Sequence, residues 1–401
     1  MAVVNLDEVA GYVDVPPAAR ILLEKPEREM RLTLSIRMED DSLACADTFV
    51  VYHNTARGPA KGGIRMQPDV TLAETAELAE LMTWKTALMG VPFGGGKSAI
   101  KLDPHRFNRP QRAEVIREYV HILRFELGSG SYIPAPDMGT SEHEMAIIFG
   151  ETHVLECVTG KPPRVGGLPG RREATGRGLA TCIAESVDDI LGMDSHAFTV
   201  AIQGFGNVGS WTAKFLSDAG RQVIAISDET GCALREDGLD VDGLMAWTAE
   251  GRDLCDYPEA EQLPRDDLLG LEVDVLVPAA VGHVFTEQVA RRVRAKMVVE
   301  GANAPTPAEG DRVFAERGIP VVPDILANSG GVIASYVEWR KAKSGSLTPE
   351  SETFATLDQL VHDGLHRVIE SARGWNTSFR SAALALAVEE VVHAMADRGW
   401  F

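Results

Sequence analysis

The spacing of apolar positions changes several times along this chain, and each change predicts a different kind of element. Between Met30 and Val51 apolar residues alternate with polar ones (Leu32, Leu34, Ile36, then Phe49, Val51), which predicts strands of a partly exposed sheet. From Thr71 the period becomes helical. Leu72, Thr75, Leu78, Ala79 and Met82 share one face, Thr71 and Glu74 form a capping-box pair, and Gly90 with Pro92 ends the helix after about Leu88. A second helix is expected from about Gln111 to Phe125, with Pro110 near its start.

The middle of the chain reads differently. Short apolar runs at Phe198–Gln203, Val223–Ser227, Val273–Pro278, Met297–Glu300 and Pro320–Pro323 alternate with helical stretches. Several are continuously apolar, as in strands covered on both faces, and strand–helix–strand succession predicts a parallel sheet. Beyond about Gly330 the chain is helical again. Ala382, Leu386, Val388, Val391, Val392 and Met395 mark a final amphipathic helix. Boundaries are expected near Arg172–Gly178 and Asn328–Gly331, with the C-terminal helices packing back on the first domain.

Length and charge narrow the possibilities. A chain of 401 residues exceeds one ordinary core. A net charge of -20 argues against a nucleic-acid partner, which requires basic patches. No apolar run approaches the roughly 20 residues needed to cross a bilayer. Asp7, Glu8 and Asp14 stand where a signal peptide would carry positive charge, so a cytoplasmic location is expected. The five cysteines are scattered without a C-x-x-C pair, which suits a reducing compartment and gives no metal site.

The run from Phe198 to Gly209 is a strand leading into Gly204-Phe-Gly206-Asn207-Val208-Gly209, followed by a helix. Alone, G-x-G-x-x-G is weak. Flanked by strand and helix, with Asp228 closing the next strand, it predicts a dinucleotide site. Gly204 permits the tight turn, Gly206 lets backbone approach the pyrophosphate, and Gly209 lets helix and strand pack closely. The helix N-terminus then offers free N–H groups to the phosphates. Asp228 would accept from the adenosine ribose and repel a 2′-phosphate, favouring NAD, while neighbouring Ser227 would suit NADP.

Two further segments combine lysine with glycine: Arg57-Gly-Pro-Ala-Lys61-Gly-Gly63-Ile-Arg65, and Met82 to Ala99 with Lys85 and Gly94-Gly-Gly96-Lys97. Glycine lets such a lysine sit close to a ligand, and several together suit a substrate with more than one carboxylate. A lysine sheltered among cations loses its proton more readily and can act as a general acid or base. Pro134-Ala-Pro136-Asp137-Met-Gly139 supplies a carboxylate on a stiff turn that could orient that lysine.

Together these blocks resemble the glutamate/leucine/phenylalanine/valine dehydrogenase family. The resemblance runs from about Arg31 to the C-terminus and includes Glu173-Ala-Thr175-Gly-Arg-Gly178, Pro278-Ala-Ala280, Glu300-Gly-Ala-Asn303 and Pro323 to Gly331, leading to Ser335-Tyr-Val-Glu-Trp339. It implies an α/β fold of two domains. Residues 1–174 and 330–401 would form a mixed α/β substrate-binding and oligomerisation domain, and residues 175–329 a Rossmann-type domain. It implies that Lys85 binds the α-carboxylate, Lys97 handles protons on the water attacking the iminium, and Asp137 is the second catalytic group. Thr175, Asn207 and Val208 would contact the cofactor with Gly204, Gly206, Gly209, Asp228 and Ala280, while Asn303 and Asn328 lie near the nicotinamide.

The resemblance also implies that Lys61 and Ser335 hold a distal carboxylate, and a lysine there without one would leave a partly desolvated charge unpaired. That favours L-glutamate, and the resemblance implies its reversible conversion to 2-oxoglutarate and ammonium with NAD or NADP by a homo-oligomer, a hexamer. The chain departs from the glutamate pattern at Ser98-Ala99, Ile147-Ile148 and Leu168-Pro169. A dehydrogenase of branched-chain or aromatic amino acids, and a non-catalytic NAD-binding regulator, remain alternatives.

Overall fold

The computed structural model describes residues 5–38 and 42–401. The chain folds as two compact units. The first comprises 1–171, 332–353 and 384–401, and the second 172–331 and 354–383.

The first unit is built on a five-stranded mixed sheet of β1 (Arg28–Arg37), β2 (Leu43–Asn54), β3 (Ala60–Gln67), β4 (Gly94–Lys101) and β5 (Tyr132–Pro136), in the order β1-β2-β4-β3-β5. The alternating segment forms β1 and β2, paired antiparallel from Arg28↔Tyr52 to Arg37↔Leu43. β3 runs parallel to both β4 and β5. The helix Leu72–Leu88 starts where expected, with the Thr71 hydroxyl accepting from the Glu74 N–H at 3.1 Å. The second expected helix divides into Arg109–Ile122 and Arg124–Ser129.

The lysine–glycine segments had not been expected to be strands, since glycine weakens a strand interior. They are β3 and β4, almost wholly buried. The reason is steric. A Cβ at Gly62 would come within 1.7 Å of the Gly96 carbonyl oxygen, so these central strands approach as only glycine allows.

The second unit holds β6 (Thr199–Gln203), β7 (Gln222–Ser227), β8 (Cys232–Leu234), β9 (Glu261–Leu263), β10 (Val275–Pro278), β11 (Met297–Val299) and β12 (Val321–Val322), in the order β12-β11-β10-β6-β7-β8-β9. The strands from β12 to β7 are parallel, and β8 and β9 add an antiparallel edge. Val200, Ile202, Ala225, Ile226, Val275 and Val277 have no exposure, which explains their continuously apolar strands. β6 lies between β7 and β10, so the strand order reverses at its C-terminal end, the place where such folds bind ligands.

The division of the C-terminal helices corrects the expected boundaries. Residues 354–383 belong to the second unit rather than the first. Their side chains explain this. Phe354 packs edge-on against Phe215, and Asp358 forms a two-pronged ion pair with Arg177. Arg380 reaches Glu300 at 2.7 Å and Asp311 at 2.6 Å, with Asp324 at 3.7 Å. Glu300 has no solvent exposure, so removal of Arg380 strands a buried negative charge. Arg380→Met is expected to lower stability by about 3–5 kcal/mol, measured by denaturant unfolding against wild type.

Candidate active site

In the first unit, Lys97 projects from β4 and Asp137 follows directly on β5, with β3 between them. The Lys97 ammonium and the Asp137 carboxylate are ion-paired across this central strand. Gly63 makes the approach possible: a Cβ there would meet the Asp137 Cβ at 2.7 Å and its Oδ2 at 2.8 Å. The other carboxylate oxygen accepts from Arg65 Nε at 3.0 Å and from the Met138 N–H at 2.8 Å. Arg65 is itself braced by Glu74 at 2.7 Å. Burial alone would raise the Asp137 carboxyl, but Lys97 and Arg65 outweigh it and hold it at about 2.

Lys61 on β3 is only 2% exposed. Burial, with Arg171, Lys97 and Lys161 as nearby cations, pushes its ammonium well below the usual lysine range, against the opposing pull of Glu338. Glu338 is strongly engaged elsewhere. It pairs with Lys161 at 2.8 Å, both without exposure, and accepts from the Gly160 N–H at 2.8 Å. This corner of the unit therefore holds more basic side chains than acidic ones.

Ser335 is 3% exposed, and Arg171 Nη2 lies 3.5 Å from its hydroxyl. Lys85 is 5% exposed, two residues beyond Thr83, whose side chain abuts β4 at Gly95. The structure thus gathers Lys61, Lys97 and Asp137 with Arg171 and Ser335. Arg171 and the Lys161–Glu338 pair were not singled out from sequence. Their signal was present, in the glycine–arginine pair of Gly170 and Arg171 and in the glycine-flanked Lys161.

The departures from the family pattern are divided: Ala99 shares the Lys97 side of β4, where it packs with Phe49 and Val70. Ser98 points to the opposite face of β4, where its hydroxyl meets those of Tyr119 at 3.0 Å and Tyr132 at 3.1 Å. Ile148 is buried in the apolar core of the first unit, and Leu168 is buried.

In the second unit the glycine turn leaves β6, with Gly204 at φ +100°. A Cβ at Gly209 would lie 1.9 Å from the Gly204 carbonyl oxygen, so helix and strand pack there as expected. The helix Asn207–Asp218 has no side-chain cap, and nothing stands within 4 Å of a Cβ built at its N-cap, Gly206. Open space before uncapped N–H groups fits a pyrophosphate. Asn207 donates to the Arg172 carbonyl at 3.0 Å, and Val208 is half-buried in the first turn. Asp228 ends β7, and its Oδ1 accepts from the Thr230 N–H and hydroxyl, each at 2.7 Å. Beside it the buried Ser227 hydroxyl has no hydrogen-bond partner among the described residues.

The remaining residues cluster beyond β10 and β11. Ala280 packs against Gly204, and Asn328 donates to the Asn303 side chain at 3.0 Å. Thr175 stands at the start of helix Ala174–Asp189, which packs on the glycine-motif helix where Gly176 meets Trp211.

Comparison with known proteins agrees with this geometry. Residues 166–399 match the model of the glutamate/leucine/phenylalanine/valine dehydrogenases, and residues 26–154 that of the family's dimerisation domain. The chain belongs to this dehydrogenase family. Among its relatives, a glutamate dehydrogenase of Thermotoga maritima is 40% identical, covering 100% of this chain and 97% of that protein. An NADP-specific glutamate dehydrogenase of Saccharolobus shibatae is 38% identical over 94% of this chain and 91% of its own. In structure, the dehydrogenase resembles a hetero-hexameric glutamate dehydrogenase of Thermus thermophilus, with a TM-score of 0.91 at 33% identity, covering 99% of this chain and 95% of the other.

Asp137 carries a pH prediction. Its folded-state value of about 2 lies below the 3.8 of an unconstrained aspartate, so its contribution is complete above about pH 4 and is lost as pH falls through 2. The contribution amounts to about 2 kcal/mol. Urea unfolding of wild type and Asp137→Asn should therefore show a stability gap at pH 5 that narrows towards pH 2.5.

Proposed function

We propose that this chain catalyses the reversible oxidative deamination of L-glutamate to 2-oxoglutarate and ammonium with a nicotinamide dinucleotide. The observation that carries this reading is the buried excess of basic side chains around Lys61, Arg171 and Ser335, next to the Lys97–Asp137 pair. A cation held away from water and among other cations gains most from an incoming carboxylate. An apolar side chain would leave it unpaired, and recognition by paired polar groups discriminates strongly. The glutamate dehydrogenases among the relatives support the same substrate.

In this reading Lys61, Ser335 and Arg171 hold the distal carboxylate and Lys85 the α-carboxylate. Bound NAD supplies the hydride acceptor for the substrate Cα. Lys97, once its ammonium proton has passed to solvent, acts as the free amine and takes a proton from the water that adds to the resulting iminium carbon. Asp137, fixed by Arg65 and the Met138 amide, holds Lys97 in place and relays to the departing ammonia the proton that Lys97 took from the water. Gly204, Gly206, Val208 and Gly209 cradle the pyrophosphate, and Thr175, Asn207 and Ala280 line the cofactor. Asn303 and Asn328 lie beside the nicotinamide.

Asp228 binds the adenosine ribose and favours NAD, while the buried Ser227 hydroxyl offers NADP a partner. Among the described residues, no helix is long and apolar enough to cross a membrane. We propose a homohexamer located in the cytoplasm; the hetero-hexameric Thermus relative supports the number of subunits.

A spectrophotometric screen of glutamate, leucine, valine and phenylalanine with NAD and NADP tests the reading. Glutamate with NAD should give the highest kcat/KM, and turnover of leucine without glutamate would overturn the substrate. Lys97→Ala is expected to lose at least about 100-fold in kcat with NAD binding retained. A loss of only a few-fold would remove Lys97 from the chemistry. Lys61→Leu should raise the glutamate KM and improve the relative rate with apolar amino acids.

A further inference from the structure

In the second unit, well along the helix from Thr175, two pairs of side chains face one another. His362 and His366 stand one turn apart on helix Glu350–Trp375, with ring centroids 4.1 Å from each other. Glu185 and Asp189 stand one turn apart in the last turns of helix Ala174–Asp189. His362 Nδ1 lies 3.2 Å from Glu185 Oε2, His366 Nε2 lies 4.0 Å from the same oxygen, and His366 Nε2 lies 3.6 Å from Asp189 Oδ2. One ligand atom from each of Glu185, His362 and His366 falls within 4.8 Å of the others.

From this geometry we propose that Glu185, His362 and His366, with Asp189 as a fourth ligand, form a binding site for a divalent transition metal, with zinc the best fit. Histidines four residues apart on one helix face bind a single ion well. Zinc bonds to imidazole nitrogen and carboxylate oxygen of about 2.0–2.2 Å set neighbouring ligand atoms roughly 3.3–3.5 Å apart in a tetrahedron. The His362–Glu185 and His366–Asp189 separations are already close to that value, the His366–Glu185 separation is 4.0 Å, and the ligand atoms of Glu185, His362 and His366 all lie within 4.8 Å of one another. The donor set of imidazole and carboxylate selects zinc, cobalt, nickel or copper over calcium and magnesium.

The surroundings favour a cation. The acidic pair sits at a helix C-terminus, where the backbone dipole is negative. Arg373 is bound to the Asp189 main-chain carbonyl rather than to its carboxylate. The residues are a third to a half exposed, which gives an ion an entry path.

A bound ion clips helix Glu350–Trp375 to helix Ala174–Asp189, whose first turn carries Thr175. Because it binds the folded form alone, it raises the temperature of unfolding.

The test uses the full chain, treated with EDTA and exchanged into metal-free buffer at pH 7.5. Zinc chloride is titrated in competition with a chromophoric chelator. One zinc per chain is expected, with His362→Gln, His366→Gln and Glu185→Gln each weakening it by about tenfold or more. Zinc should raise the Tm of wild type and leave that of His362→Gln/His366→Gln unchanged. Cobalt(II) should give the visible absorption of a four-coordinate ion in wild type and not in the double variant. Circular dichroism checks that the variants are folded. Equal zinc affinity in wild type and the double variant overturns the site. So does binding that disappears with Cys255→Ser, since Asp253, Cys255 and Asp256 form the other group of potential ligands among the described residues.

Discussion

One ion pair organises the chemistry of the first unit: the Lys97 ammonium held against Asp137 across β3. It exists because Gly63 has no side chain, which lets a carboxylate lie on the strand itself. Everything around it then follows from charge. Arg65 and the Met138 amide fix the second oxygen, Glu74 fixes Arg65, and the carboxyl is kept ionised in spite of burial. A carboxylate held by a guanidinium and a backbone amide needs little reorganisation when charge moves beside it.

The second unit places its residues by a different device. Backbone does the positioning, through a strand that ends in glycine and a helix whose first amides are left uncapped. Behind the loop that carries Asn303, a buried carboxylate at Glu300 and a second at Asp324 are joined through Arg380. Asp324 in turn accepts from the Ala304 N–H, so the loop is anchored from its buried side. The network stiffens the place where the two asparagines meet, at the cost of desolvating charge that only an exact partner offsets.

Much of this was legible before any coordinates. The central apolar runs announced the parallel sheet, and the glycine turn was recognisable from the strand before it and the helix after it. What was hidden has a common cause. β3 and β4 are rich in glycine, so they lack the β-branched pattern by which strands are read, and their identity depends on neighbours distant in sequence. The short edge strands β8 and β9 carry too few residues to show a period. The second-unit share of the C-terminal helices was equally invisible, because Arg177–Asp358 and Arg380–Glu300 are pairings over long sequence separations. Arg171 escaped attention because its position beside Ser335 arises only on folding.

Lys97 and Ser98 are adjacent in the chain yet occupy opposite sides of one strand, the first among charges and the second within a ring of tyrosine hydroxyls. Pleating therefore uncouples them. An alteration at the second position is absorbed by repacking phenols against one another, with the reactive amine left undisturbed. Divergence beside a conserved chemistry can then accumulate on the reverse side of the sheet, and a mismatch in a motif says little until it is known which way the side chain faces.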